Sequence, residues 1–347
     1  MALSGVFKIF DADNDVVKNI KSVISSGIWS GGGGTLTAFY SQSAQSSSTG
    51  EYYHDVYKTN PQSDTEAEVQ FSITYGHLEG SGSLGTVGAA TGNRASAAIH
   101  AQFVNLLLGP NIDRFTYAGA PNGDGNLSKH FYAIALRRAR MREKVDPGNW
   151  ELHLDGGADL VKLIDDSGAT TNPISGIGGR VFNVVSGSIA SGTAVIKTAA
   201  TIEVGGGIGL FYPDMGLIVL NADQMNRHVA DITTVVTSSA VGGNTKRFFQ
   251  SMQEGGKFQA RREERLSSTH YFCRAGNKQF NFSNNPTFFT SSDGTFTQAT
   301  FFKDPKTYIT TIGLYNDANE LLAVAKLSKP VLKSYSREAL IKVKLDF

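Results

Sequence analysis

Apolar residues in this chain come in short runs, each cut off after a few positions by Gly, Ser, Asn, Asp or Pro, and this punctuation restricts the fold more than any other feature. Strands joined by turns suit such a text; long helices do not. The clearest run closes the sequence. Ile341, Val343, Leu345 and Phe347 alternate with Lys342, Lys344 and Asp346, a period of two that places the apolar set on one face of a strand. Phe71, Ile73 and Tyr75 alternate in the same way with polar neighbours. Hairpins are expected where turn residues separate two such runs. One joins Thr269 to Arg274 with Gln279 to Ser283 across Ala275-Gly276-Asn277-Lys278, and another joins Tyr308 to Tyr315 with Leu321 to Leu327 across Asn316-Asp317-Ala318-Asn319.

Elsewhere, Asp146-Pro147-Gly148 predicts a turn between a strand drawn from His130 to Val145 and a second strand at Trp150, Leu152 and Leu154. Arg180 to Val185, Ala194 to Lys197 and Leu217 to Leu220 read as further strands, with Pro213-Asp214-Met215-Gly216 as a turn. Helical spacing is clearest from Ala95 to Leu108, ended by Gly109-Pro110, and weaker from Ala222 to Val236. Ser25 to Gly50 is poor in apolar groups and predicts a Gly/Ser-rich loop or arm. The fold class expected is mainly β with a few helices (α+β), in hairpin-rich, β-sandwich-like domains. With 347 residues, 38 of them Gly, three domains are expected: an N-terminal α+β domain at 1–154, a β-rich middle domain at 155–245 and a C-terminal β domain at 246–347.

A net charge of +1 offers no general footprint for nucleic acid or an anionic membrane. The charge is uneven, since Lys257 to Phe347 holds 14 Lys plus Arg against 8 Asp plus Glu. No window holds the roughly 18 apolar residues of a membrane span. Neither Asp11, Asp13 and Asp15 nor the segment around them reads as a secretory leader, and with the single Cys273 this predicts a soluble protein assembled in a reducing cytoplasm.

The motifs that carry chemistry are weak here. Gly80, Gly82 and Gly85 fit a dinucleotide fingerprint in spacing, but the helix that should start at the glycines comes too late, so a turn-rich loop is expected. His54-Asp55 is the sole His beside a carboxylate, and it reads as a surface pair. The aspartates at 11, 13 and 15 lack the Gly and Glu of a calcium loop and read as a turn. No catalytic, cofactor-binding or metal residue is assigned, and the chain is expected to be non-enzymatic. The candidates for a partner interface are Arg261, Arg262 and Arg265, with Ile341, Val343, Leu345 and Phe347 of the terminal strand, which could be donated to a partner's sheet.

The segments Ser267 to Phe272, Phe280 to Phe288, Tyr308 to Asp317, Glu320 to Ser328 and Arg337 to Phe347 resemble structural proteins of contractile-tailed phages, particularly T-even-like phages of cyanobacteria. Asp146 to Leu152 and Gly209 to Gly216 are similar too, so the likeness runs from about Lys129 to the end. The resemblance implies a virion component, most simply a baseplate wedge subunit holding other tail proteins by extended β interfaces, with no cofactor, no nucleic acid and no membrane insertion. A neck or tail-terminus protein is a further reading of it. A host-adhesion or sugar-binding module is another, motivated by Tyr52, Tyr53 and Tyr57.

Overall fold

The computed structural model describes residues 7–42, 53–80, 95–117, 126–168, 174–191, 207–229, 243–290 and 293–347. The chain is mainly β with helices added, and its strands pair antiparallel in every register described. In order, the elements are β1 (Val16–Gly27), β2 (Thr35–Leu36), β3 (Tyr53–Tyr57), β4 (Val69–His77), α1 (Ala95–Leu107), β5 (Thr116–Tyr117), β6 (Asn126–Leu127), β7 (His130–Leu136), α2 (Arg138–Met141) and β8 (Lys144–Asp155). There follow β9 (Leu160–Asp165), β10 (Ile174–Gly176), β11 (Gly179–Ser186), β12 (Gly209–Tyr212), β13 (Leu217–Asn221), α3 (Ala222–His228), α4 (Gly243–Gly255), β14 (Phe258–Ala275), β15 (Thr307–Tyr315), β16 (Leu321–Lys333) and β17 (Ala339–Asp346). Two compact units result, one of residues 24–264 and one of residues 1–23 with 265–347. Both divisions fall inside strands, β1 and β14, rather than at 154 or 245, because β8 continues past 154 and α4 spans 245.

In the unit 24–264 the sheet runs β14-β8-β9-β11-β12-β13-β7-β4-β3. It does not end at β3. Tyr40 exchanges backbone hydrogen bonds with Tyr57 of β3 at 3.0 and 2.8 Å, and four residues earlier Leu36 pairs with Phe258 of β14, so the segment at 34–40 closes the sheet on itself. A closed sheet has no free edge. One core fills its inside: Trp29 packs on Phe71 and Phe258 with ring centroids 5.8 and 5.0 Å away, and Phe71 meets Phe258 at 5.3 Å. The helix α4 supplies Phe248, Phe249 and Met252 to the same core, with Phe248 stacked on Tyr132. Gly255 ends α4 against His153 and Leu154, where a Cβ would collide with the backbone of β8.

Period-two patterning sorts the strands between two cores. In β7, Tyr132, Ile134 and Leu136 face inward while Phe131 and Ala133 join an outer core with Val104 and Leu107 of α1, Phe115, Tyr117, Leu210, Tyr212, Leu217 and Val219. The strands under α1 are therefore apolar on both faces, which is why β12 and β13 read as unbroken apolar runs. This single curled sheet around a helix takes the place of the stacked sheets of a sandwich.

Several expectations change. Ser25 to Gly50 is no arm where it is described: Ile28, Trp29, Leu36 and Phe39 are buried, and Tyr40, though exposed, is held by its backbone on β3. Asp146-Pro147-Gly148 makes no hairpin. Trp150 pairs with Ala260 and Val145 with Arg262, so 146–149 bulge out of one continuous strand, held where Asp165 accepts the Gly148 N–H at 2.8 Å and Asp146 accepts Ser25 and Asn149. The arginine run leaves the sheet after Leu136 as the single turn α2, which buries Met141. The strand expected at 194–197, and the part of the second helix beyond Val229, lie outside the described residues.

In the other unit, β14 pairs with β17 over eight positions from Ser268↔Asp346 to Ala275↔Ala339. The expected local hairpin gives way to this long-range partner. The turn at 276–279 forms, with Gln279 N–H bonded to Gly276 O at 3.0 Å, but the chain then leaves the sheet and gathers Phe282, Phe288, Phe289, Phe296 and Phe301 into an aromatic cluster. The second expected hairpin forms as β15 and β16.

Because Trp29 is lodged where the sheet closes, Trp29→Ala should destabilise the 24–264 unit by about 3–5 kcal/mol, the range for truncating a buried large aromatic residue. Denaturant unfolding followed by circular dichroism measures this; a loss under about 1 kcal/mol would contradict the closure.

Candidate functional site

The partner-interface candidates divide by burial. Arg261 is exposed on β14. Arg262 is committed internally: its Nε donates to Ser26 Oγ at 2.8 Å and lies 3.1 Å from Glu264 Oε1, and its guanidinium reaches the Arg140 carbonyl at 3.3 Å. Arg265, in the other unit, is exposed. On β17, Val343 is buried opposite Tyr271, and Ile341 and Leu345 are half-buried opposite Cys273 and Thr269. Their alternation builds the inner face of a paired strand, and the residues exposed for contact are Arg261, Arg265 and Phe347. Even Phe347 is anchored by its backbone to Ser267, at 2.9 and 3.3 Å.

The other flagged residues resolve into structure. His54 is buried on β3 with its ring stacked on Phe249 at 5.8 Å, so it is no surface residue, while Asp55 accepts a hydrogen bond from Ser72. Asp11 and Asp15 close a turn through the N–H groups of Asp13 and Asp11. Gly80 sits at φ 78° in a turn whose N–H reaches His77 O; Gly82 and Gly85 lie outside the described residues. Among the described residues, no three His, Cys, Asp or Glu side chains gather as metal ligands, and no helix is long and apolar enough to cross a membrane.

One cluster holds residue types with catalytic potential, and the sequence reading passed over it. It sits where β4, β7 and α3 meet. Tyr75 Oη lies 3.0 Å from His130 Nδ1, His130 Nε2 lies 2.8 Å from Asp223 Oδ1, and Ser128 Oγ lies 2.7 Å from Asp223 Oδ2. Burial pushes the Tyr75 phenol far up, so it stays protonated and donates to Nδ1, leaving the ring proton on Nε2 for Asp223. The hydrogen bond from His130 holds Asp223 below the usual carboxylate range. Both imidazole nitrogens are thus occupied. Ser128 is hydrogen-bonded to the carboxylate and to the backbone of His130, not to an imidazole nitrogen, so the order Tyr–His–Asp–Ser differs from that of an activated serine. Its local effect is to tie the ends of β4 and β7 to the first turn of α3, where Asn221 also caps by accepting from Asp223 N–H at 3.0 Å. No signal of spacing marks this cluster, since Tyr75, Ser128, His130 and Asp223 meet only through sheet pairing. No family model, curated protein or solved structure matches the chain.

Two more histidines flank the cluster. Burial lowers His77 to about 4, with His130 adding to the effect, and lowers His100 to about 4. Both are buried and neutral at pH 7. Unfolded histidines titrate near 6.5, so the unfolded chain takes up protons that the folded one refuses, and each of the two removes about 1.4 kcal/mol per pH unit as pH falls from about 6.5 towards 4. Asp146 and Asp165, raised by burial, act in the opposite sense at lower pH. Comparing urea midpoints of the wild type and His100→Phe from pH 7 to pH 4 isolates one histidine: the variant's stability should fall less steeply by about one proton's worth, whereas parallel curves would remove this account.

Proposed function

We propose that the chain is a structural, non-enzymatic subunit of a phage particle, most simply a baseplate wedge component of a contractile tail that holds other tail proteins. The observation that carries this is where the phage-like segments fall. Tyr308 to Asp317 and Glu320 to Ser328 are the hairpin of β15 and β16, Arg337 to Phe347 contains β17, and Ser267 to Phe272 is the stretch of β14 paired with it. These segments belong to one unit with a charge of its own, 14 Lys plus Arg against 9 Asp plus Glu, while residues 24–264, which hold the similar stretches Asp146 to Leu152 and Gly209 to Gly216, carry 18 against 22. That unit also exposes large apolar side chains, including Phe302, Leu322, Tyr308, Phe282 and Val324. A basic, apolar surface on an extended strand framework suits stable protein contacts with an unlike neighbour.

The adhesion reading loses one of its motivating residues, since Tyr57 is buried and Tyr53 is exposed. In this proposal the virion is the site of action and the host cytoplasm the place of assembly. Quantitative mass spectrometry of purified particles should find the chain in fixed stoichiometry with tail proteins and in sub-assemblies that lack DNA. Its absence from particles would overturn the proposal, and binding of the isolated chain to host cells would favour adhesion instead.

A further inference from the structure

We propose that β15 is the seam of a two-fold dimer, in which a second copy of this chain adds its own β15 antiparallel to form a four-stranded sheet. The sheet of β15 and β16 has just two strands among the described residues, and most of its positions are exposed or half-exposed. Two-stranded sheets of this kind are marginal alone and gain independent stability with a third strand. The two edges differ in kind. The β16 edge carries Lys326, Lys329 and Pro330, and Leu327 to Pro330 bulge between the pairs Thr311↔Lys326 and Ile309↔Val331. Lysine, proline and a bulge are the devices that keep an edge from pairing. The β15 edge has none of them. Its nine residues, Thr307 to Tyr315, are rich in Thr, Ile and Tyr and hold no charge and no proline.

A second copy fits this edge in charge as well as in shape. Antiparallel pairing about Thr311 sets Tyr308 opposite Leu314 of the second copy, and Thr310 opposite its Ile312, so apolar and β-branched side chains share one face and no like charges oppose. Just past the strand ends the same register sets Lys306 of one copy opposite Asn316 of the other, one residue from Asp317 and within reach of the long lysine side chain, and symmetry makes this approach twice. Lys306 is half-exposed and lies 3.5 Å from its own Asp304; Asp317 is exposed. Assembly stops at two copies, because both outer edges of the new sheet are the guarded β16.

Sedimentation of the purified full-length chain tests this apart from any question of virion membership. A concentration-dependent dimer is expected. Thr311→Lys puts two like charges at the dyad on an exposed residue and should weaken the dimer by roughly tenfold or more, with the circular dichroism spectrum unchanged. Ser328→Lys on the other edge should leave it intact. Lys306→Glu and Asp317→Lys should each weaken it, and the double variant should recover. A monomer at the highest soluble concentration, open-ended oligomers, a dimer indifferent to Thr311→Lys, or charge reversals without recovery would each overturn the proposal.

Discussion

The contact on which the 24–264 unit depends is Trp29 wedged between Phe71 and Phe258. These two phenylalanines belong to strands separated by most of the sheet's width, and a sheet with ordinary right-handed twist brings them together only by curling through a full turn. Curling exposes a gap between β3 and β14, and the residues around Trp29 fill it from both sides: its own indole inside, and Leu36 and Tyr40 on the ladder. A segment whose composition suggests disorder thus becomes the closing stave. Its few buried apolar residues suffice because they join the core of the whole unit rather than a surface of their own, Trp29 doing so against two aromatic rings.

What was legible in the sequence was whatever depends on near neighbours. Period-two alternation marked β4 and β17, a short apolar run marked β13, helical spacing with Gly109-Pro110 marked α1, and turn residues marked the hairpin of β15 and β16. What escaped was whatever depends on a choice between partners. A turn at 276–279 does form, yet Ala339–Asp346 outcompetes the adjacent segment for β14 because it supplies eight paired positions while the nearer phenylalanines have one another to pack against. The Pro-Gly pair at 147 and 148 is good turn chemistry that here makes a bulge, since Trp150 and Val145 on either side are both fully buried on one strand. The Tyr75–His130–Asp223–Ser128 cluster was invisible for the same reason: 55 and 93 residues separate its hydrogen-bonded pairs.

Two carboxylates of the 24–264 unit, the buried Glu151 and the half-exposed Asp223, share a trait. Glu151 accepts from His153, Lys257 and Ile189 N–H, and Asp223 from His130 and Ser128; each carboxylate has its oxygens engaged by the protein itself. Saturated groups of this kind cross-link strands and helix ends, and the cost of stripping them of water is offset by the bonds they make.

The unit formed by residues 1–23 with 265–347 is discontinuous in sequence, with the whole of 24–264 inserted between its parts. During synthesis the first of these parts emerges long before the strand that will hold it, whereas the inserted unit has nearly all its strands in hand once β14 begins. Maturation is thereby ordered. The closed sheet can finish first, and the basic unit is completed only when Ala339–Asp346 arrives to pair with β14, so a chain cut short before that point leaves eight positions of β14 without the strand that covers them.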